Sequence, residues 1–173
     1  MTNAFFPKPI DKQKQIVYNI DTKKREVLTM TINFDMDGTI ANFYGVENWL
    51  EYLLAEDTTP YAIAKPLLRF ASLAKRLNNL QKQGIKIAII SWGSKEATAN
   101  FDERIAEAKT AWLAKHLPSV NCDRITIVPY GTPKQNFCET PLDILFDDEE
   151  RNRNNWTGRA YDVNNIMEIL RTF

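Results

Sequence analysis

Histidine is nearly missing: His116 is the only one in 173 residues. A multi-histidine zinc centre is therefore excluded, and so is a phosphatase built on paired histidines. Cysteine is almost as scarce. Cys122 and Cys138 stand without CxxC spacing, which argues against a disulfide framework or a thiolate metal site and fits a reducing compartment. Long apolar runs are also lacking, the longest being a few residues against the ~20 that a bilayer-crossing helix needs. Met1 to Gln15 holds three lysines and two prolines but no apolar stretch, so it does not read as a signal peptide. These absences predict a soluble cytoplasmic protein with no membrane partner. Net charge is missing too, because 22 basic residues balance 22 acidic ones. Bulk binding to nucleic acid is disfavoured, and only a local basic patch would support it.

What is present suits one globular domain. Hydrophobic residues make up 44% and charged residues 25%, and the length allows a real core without a second full-sized domain. Residues 1–29 differ from the rest. Lys8, Lys12, Lys14, Lys23, Lys24 and Arg25 stand against Asp11, Asp21 and Glu26. Gln15 to Ile20 reads as a short strand and Asp21 to Arg25 as a polar turn, which predicts a hairpin extension added to the main domain. A solvated extension is favoured there over a basic arm that touches substrate.

Residues 30–173 alternate strands with amphipathic helices. The run from Val27 to Phe34 ends at Asp-Met-Asp-Gly-Thr, and Thr29, Thr31 and Asn33 interrupt it. A central parallel strand is normally almost uniformly apolar, so one face of this strand is expected to be less buried than usual. Gly45 to Glu56 predicts a helix with Val46, Trp49, Leu50, Leu53 and Leu54 on one face. Thr58-Thr59-Pro60 breaks the chain. Pro66 suits the first turn of a longer helix facing inward through Leu67, Phe70, Leu73, Ala74, Leu77 and Leu80, with Gly84 as its stop. Ile85 to Ile90 reads as a second buried strand, Ile125 to Val128 as a third strand and Ile144 to Phe146 as a fourth. A helix carrying Phe101, Ile105, Ala108 and Trp112 on one side lies among them and ends near Pro118. A short helix over Arg151 to Trp156, a brief strand over Arg159 to Tyr161 and a helix from Val163 to Arg171 close the chain. The alternation implies βαβ crossovers and an α/β fold, a Rossmann-like three-layer sandwich with a central parallel sheet.

Ligands of open α/β sheets bind beyond the carboxyl ends of the strands. Past those ends lie Asp35, Asp37 and Gly38, then Ser91 and Trp92, then Asp147 and Asp148, with Lys134 on the intervening loop. Several carboxylates on one edge repel one another unless a divalent cation sits among them, and hard oxygen donors without histidine select magnesium. Each residue also has an ordinary reading. Asp35 and Asp37 could form only a turn and a helix cap, Ser91 could simply end a strand, and Lys134 could be a solvated loop lysine. Asp147 alone could bind the metal while Asp148 and Glu149 cap the next helix.

DMDGT after an apolar strand, a serine ending the next strand, a downstream lysine and a DD pair after a further strand resemble the haloacid dehalogenase superfamily of phosphotransferases. The resemblance runs over residues 30 to 172. It implies that Asp35 is a nucleophile forming an aspartyl-phosphate. It implies that Asp37 is the acid that protonates the leaving oxygen and the base that then activates water. Mg²⁺ would be held by Asp35, the backbone carbonyl of Asp37, Asp147 and in one variant Asp148. Ser91, the Trp92 backbone and Lys134 would bind the phosphoryl group. The second aspartate marks a phosphatase, because a halide leaving group needs no proton.

The insert over about 42–62 allows only a minimal cap, which leaves the site open. The expected partner is a small phosphorylated substrate, with a nucleotide or oligonucleotide end preferred. Looser likenesses point to deoxynucleotidases and the phosphatase half of phage polynucleotide kinases. Tyr44, Trp49, Tyr52 and Trp92 are close enough in sequence to the motifs for one to stack on a base; Trp49 falls on an apolar face and reads as core. Arg151, Arg153 and Arg159 read as a solvated helix face rather than a cationic rim. The competing readings are a non-catalytic phospho-ligand binding protein and a sugar phosphatase or phosphomutase.

Overall fold

A computed structural model describes residues 29–173; the hairpin expected over 1–29 therefore lies outside the described residues apart from its last position. In chain order the strands are β1 (Thr31–Phe34), β2 (Ala41–Asn42), β3 (Lys65–Pro66), β4 (Lys86–Trp92), β5 (Arg124–Val128), β6 (Ile144–Phe146) and β7 (Arg159–Tyr161). The helices are α1 (Trp49–Leu54), α2 (Thr59–Ile63), α3 (Phe70–Lys82), α4 (Ala99–His116), α5 (Glu150–Asn155) and α6 (Ile166–Leu170).

The main sheet has five strands in the order β5-β4-β1-β6-β7, and every pairing is parallel. From β1 the chain steps outward to β4 and β5, then crosses back to β6 and β7. The carboxyl end of β1 is thus the point where the strand order reverses, and there an open sheet splits to form a crevice.

Alternation along the strands sorts the two faces. Ile32, Phe34, Ile87, Ile89, Ile144 and Phe146 pack with Leu73, Leu77 and Leu80 of α3, Trp112 and Leu113 of α4, and Ile166 and Leu170 of α6. Phe34 and Phe146 are register partners and stack at 5.2 Å. The opposite face is smaller, with Ile90 and Leu145 packing on Trp156. The sheet is thus covered on both faces, as a three-layer α/β sandwich. Gly84 ends α3 with φ +85°. Thr98 caps α4 by accepting the Phe101 N–H at 3.2 Å, and Lys115 and His116 in its last turn complement the helix dipole.

Three expectations fail locally. The interrupted face of β1 is not less buried: Thr31 and Asn33 are both buried. Their polar groups are satisfied by long-range partners instead. Asn33 donates to the Ile144 carbonyl at 3.1 Å and accepts from Arg124 at 3.3 Å, and the Thr31 N–H donates to Asp143, which removes the desolvation penalty of an unpaired group. Pro66 does not open a helix; it pairs in β3 against β2, and α3 begins four residues later. α1 is shorter than Gly45 to Glu56 because Asn48 (φ 57°) and Glu56 (φ 51°) both take left-handed conformations. Its apolar face is also narrower, since Leu50 and Leu54 are 52% and 79% exposed while Trp49 and Leu53 pack against Phe43 and Tyr61. Among the described residues no helix is long and apolar enough to cross a membrane.

Candidate active site

β1 carries the chain straight into Asp35, whose N–H still bonds the Phe146 carbonyl at 2.9 Å. Met36 turns into the core, so Asp35 and Asp37 on either side of it both face one pocket. The loop then closes tightly, the Met36 carbonyl accepting from the N–H groups of Thr39, Ile40 and Ala41. Gly38 has φ +76°, and a Cβ there would run into the Asp148 carboxylate and the Tyr44 ring. Both its backbone and its neighbours therefore require glycine. β4 delivers Ser91 and Trp92 beside β1, and β6 delivers Asp147 and Asp148 on the other side.

Two buried lysines bind this edge together. Lys134, only 2% exposed, places Nζ 2.7 Å from Asp35 Oδ1 and 2.7 Å from Asp147 Oδ2. Burial opposes its charge, but the two carboxylates outweigh that and raise its pKa. It is not a solvated loop lysine. The second lysine was not anticipated from sequence. Lys109 of α4 is 1% exposed and donates to Asp37 Oδ2 at 2.7 Å, Ser91 Oγ at 2.8 Å and the Trp92 carbonyl at 2.6 Å. Its ammonium also lies 5.0 Å from the Tyr61 ring centroid. The signal was present: Lys109 falls four residues after Ile105 and three before Trp112, on the face that carries the apolar residues of the helix.

The acidic loop after β6 is fixed as firmly. Asn152 donates to both Asp147 oxygens at 3.1 and 3.2 Å, and the Glu149 N–H adds a third bond at 2.9 Å. The Thr39 hydroxyl sits 3.2 Å from Asp35 Oδ2, 3.4 Å from Asp148 Oδ1, and accepts the Asp148 N–H at 3.1 Å. Arg153 donates through Nη1 to the carbonyls of Asp147 and Asp148 at 2.8 and 2.6 Å and pairs with Asp162 at 3.6 Å. It is a backbone clamp rather than part of a solvated face. With Mg²⁺ on these carboxylates, as proposed below, replacing Arg153 with Met is expected to weaken binding of the ion about 10-fold, the usual scale for groups that orient ligands. A Mg²⁺ titration followed by thermal melting reads it, and an unchanged midpoint would show that the clamp does not matter.

The electrostatics are unbalanced. Burial raises the pKa of Asp37, with Asp35 adding to it and Lys109 opposing. Burial and then Asp35 raise that of Asp147 against Lys134. Asp148 is pushed up to about 7 by burial, then by Asp35 and Asp147. With Asp35, Asp37, Asp147 and Asp148 ionised, the ammonium groups of Lys109 and Lys134 offset two of the four charges and Glu149 pairs with Arg151, so two negative charges remain, as many as one divalent cation neutralises. The donors are hard oxygens, which suits magnesium. Among the described residues no three His, Cys, Asp or Glu side chains are arranged as a ready cage, and Lys134 bridges Asp35 and Asp147. The donor chemistry thus fits the ion, with these carboxylates as the groups that would hold it.

A pH-dependent consequence follows from Asp148. A carboxylate whose folded pKa is raised favours the fold when protonated, so that contribution is lost as pH climbs from about 4 towards 7. Added cation is expected to raise the melting temperature more at pH 8 than at pH 5. Equal shifts at both values, or none at pH 8, would contradict this account.

The pocket is a cavity of about 50 Å³ whose lining includes Asp35, Asp37, Ser91, Trp92, Lys134, Asp147 and Asp148. All seven residues singled out from the sequence are therefore brought together. Of the four aromatic residues considered, Tyr44 and Trp92 line the pocket, while Tyr52 and Trp49, which packs edge-on against Tyr44, do not. Trp92 is buried, lies 4.9 Å from the Lys134 ammonium and donates its indole N–H to the Thr132 carbonyl at 2.8 Å. Arg151 reaches the rim, 5.3 Å from the Trp92 ring, whereas Arg159 lies over Phe173.

No family model matches the chain, and no curated protein does. Among solved structures, it resembles the crystal structure of D,D-heptose 1,7-bisphosphate phosphatase from Burkholderia thailandensis, with a TM-score of 0.46 and 15% sequence identity over 73% of this chain and 70% of that one.

Proposed function

We propose that the chain is a magnesium-dependent phosphomonoesterase that works through an aspartyl-phosphate on Asp35, with a nucleotide or nucleic-acid terminal phosphate as substrate. The observation that carries this reading is that two aspartates, two residues apart and lining one pocket, are each paired with a separate buried lysine. The Asp35 carboxylate attacks phosphorus in line, forming an O–P bond as the bond to the leaving oxygen breaks. Asp37 delivers a proton to that oxygen. Its raised pKa favours the protonated acid that this step needs. Asp37, now ionised, takes a proton from water; the resulting hydroxide displaces Asp35 from phosphorus and releases inorganic phosphate.

Lys109 keeps Asp37 and Ser91 in place through both steps, since it bonds to each. Lys134 and the Ser91 hydroxyl offset charge growing on the transferring oxygens. Asp35, Asp147, Asp148 and the Asp37 carbonyl would hold magnesium, which would supply the screening that lets a carboxylate approach an anionic ester.

The test is phosphate release from a panel of 5′- and 3′-nucleotides, 5′- and 3′-phosphorylated oligonucleotides and sugar phosphates, with Mg²⁺ and with EDTA. Metal-dependent release, highest on nucleotides or oligonucleotide ends, is expected. No release from any ester would overturn the enzymatic reading and favour a phospho-ligand binder. Preference for sugar phosphates would overturn the substrate assignment alone.

A further inference from the structure

Tyr130 is a large aromatic side chain that the fold holds out at the pocket mouth. It is 47% exposed and lines the cavity. A single exposed aromatic is unremarkable, but this one sits at the corner of a rigid turn. The Thr132 N–H and hydroxyl both donate to the Pro129 carbonyl, at 3.1 and 2.7 Å. Gly131, with φ +83°, supplies the conformation that a type II turn needs at its third position. Trp92 ties the turn to the site, donating its indole N–H to the Thr132 carbonyl, and its ring lies 5.0 Å from that of Tyr130. Tyr130 therefore has a buried ring behind it, a fixed backbone beneath it and an open face.

The cavity itself is small. At about 50 Å³ it has room for a phosphoryl group and little more, so the rest of an ester would leave across the rim, where Tyr130 and the half-exposed Tyr44 stand. Glu149 and Arg151 beside them pair with each other at 3.6 Å, and aromatic side chains with one preorganised ring suit a flat, uncharged ring system better than a polyhydroxylated chain.

We propose that Tyr130 is the stacking platform for the aromatic ring of the leaving group, and hence that the site takes nucleoside monophosphates in preference to the same sugar phosphate without its base. This rests on the phosphomonoesterase reading above. The test compares adenosine 5′-monophosphate with ribose 5-phosphate, which share the leaving oxygen and differ by the base. The ratio of their kcat/KM values is expected to favour the nucleotide, to fall about 10-fold in Tyr130→Ala, the scale of losing one stacked base, and to persist in Tyr130→Phe. A parallel calorimetric titration of both ligands with Mg²⁺, into wild type and Tyr130→Ala, is expected to show the same Tyr130-dependent preference. If both esters are hydrolysed equally well, or the ratio is unmoved by Tyr130→Ala, the platform is wrong while the phosphatase reading stands. If neither is hydrolysed yet the nucleotide still binds more tightly through Tyr130, the platform stands and the phosphatase reading falls. Absence of both hydrolysis and selective binding overturns the two together.

Discussion

Asp35→Asn is expected to lower turnover of every phosphate ester on the order of 10⁴-fold or more, the scale on which loss of a catalytic nucleophile is felt. The amide keeps the shape of the side chain but cannot displace an alkoxide from phosphorus. Lys134 retains Asp147 as a partner, so the fold should survive, and thermal melting would verify it. Asp37→Asn makes an informative companion. Loss of an acid–base group costs about 10²–10⁴-fold, but the part of that loss seen in kcat/KM, which reports the first step, should shrink on an aryl phosphate whose phenolate leaves without a proton. The Asp35 defect should not shrink. Initial rates on an alkyl and an aryl ester for the three proteins check this. Equal rates for wild type and Asp35→Asn would remove Asp35 from the mechanism.

Those carboxylates could be read from the sequence because the strand ends that carry them could. β6 and β7 fall where Ile144 to Phe146 and Arg159 to Tyr161 predicted them; for β6, a short apolar run between turn signals leaves few alternatives. With β1 and β4 placed as well, the topology of a parallel sheet brings Asp35, Ser91 and Asp147 to one edge. Features held by distant partners were not legible. Asn33 looked like a sign of exposure, yet its partners Ile144 and Arg124 lie 111 and 91 residues away. The β2–β3 pairing joins two-residue strands, too short for any periodicity to register. Lys109 is the most instructive case. Helical spacing put it on the buried face, but only the approach of α4 to the β1 loop, 72 residues distant, shows that its charge has a carboxylate to meet.

That meeting makes Lys109→Met the substitution with the largest expected effect on stability. Methionine fills the space of the lysine stem, so the lost groups are the charge and three hydrogen bonds to Asp37, Ser91 and Trp92. Removing one partner of a buried ion pair leaves the other charge uncompensated, which costs about 3–5 kcal/mol when that charge is fully buried; Asp37 is 18% exposed, so the lower end, about 3 kcal/mol, is expected. The second substitution separates charge from packing. If the cost is the stranded carboxylate, Asp37→Asn in the Lys109→Met background should restore much of the stability, although the same change alone should destabilise the wild type. The pH dependence has a definite sign as well. Lys109 is the largest influence lowering the Asp37 pKa against burial, so its removal raises that pKa further. A protonated Asp37 needs no partner, and the penalty in Lys109→Met should therefore be smaller at pH 5 than at pH 8. Denaturant unfolding of the four proteins in EDTA, at both pH values, closes the cycle. A cost below about 1 kcal/mol, typical of exposed pairs, with no rescue by Asp37→Asn, would mean that Lys109 contributes only packing and that Asp37 is held by something else.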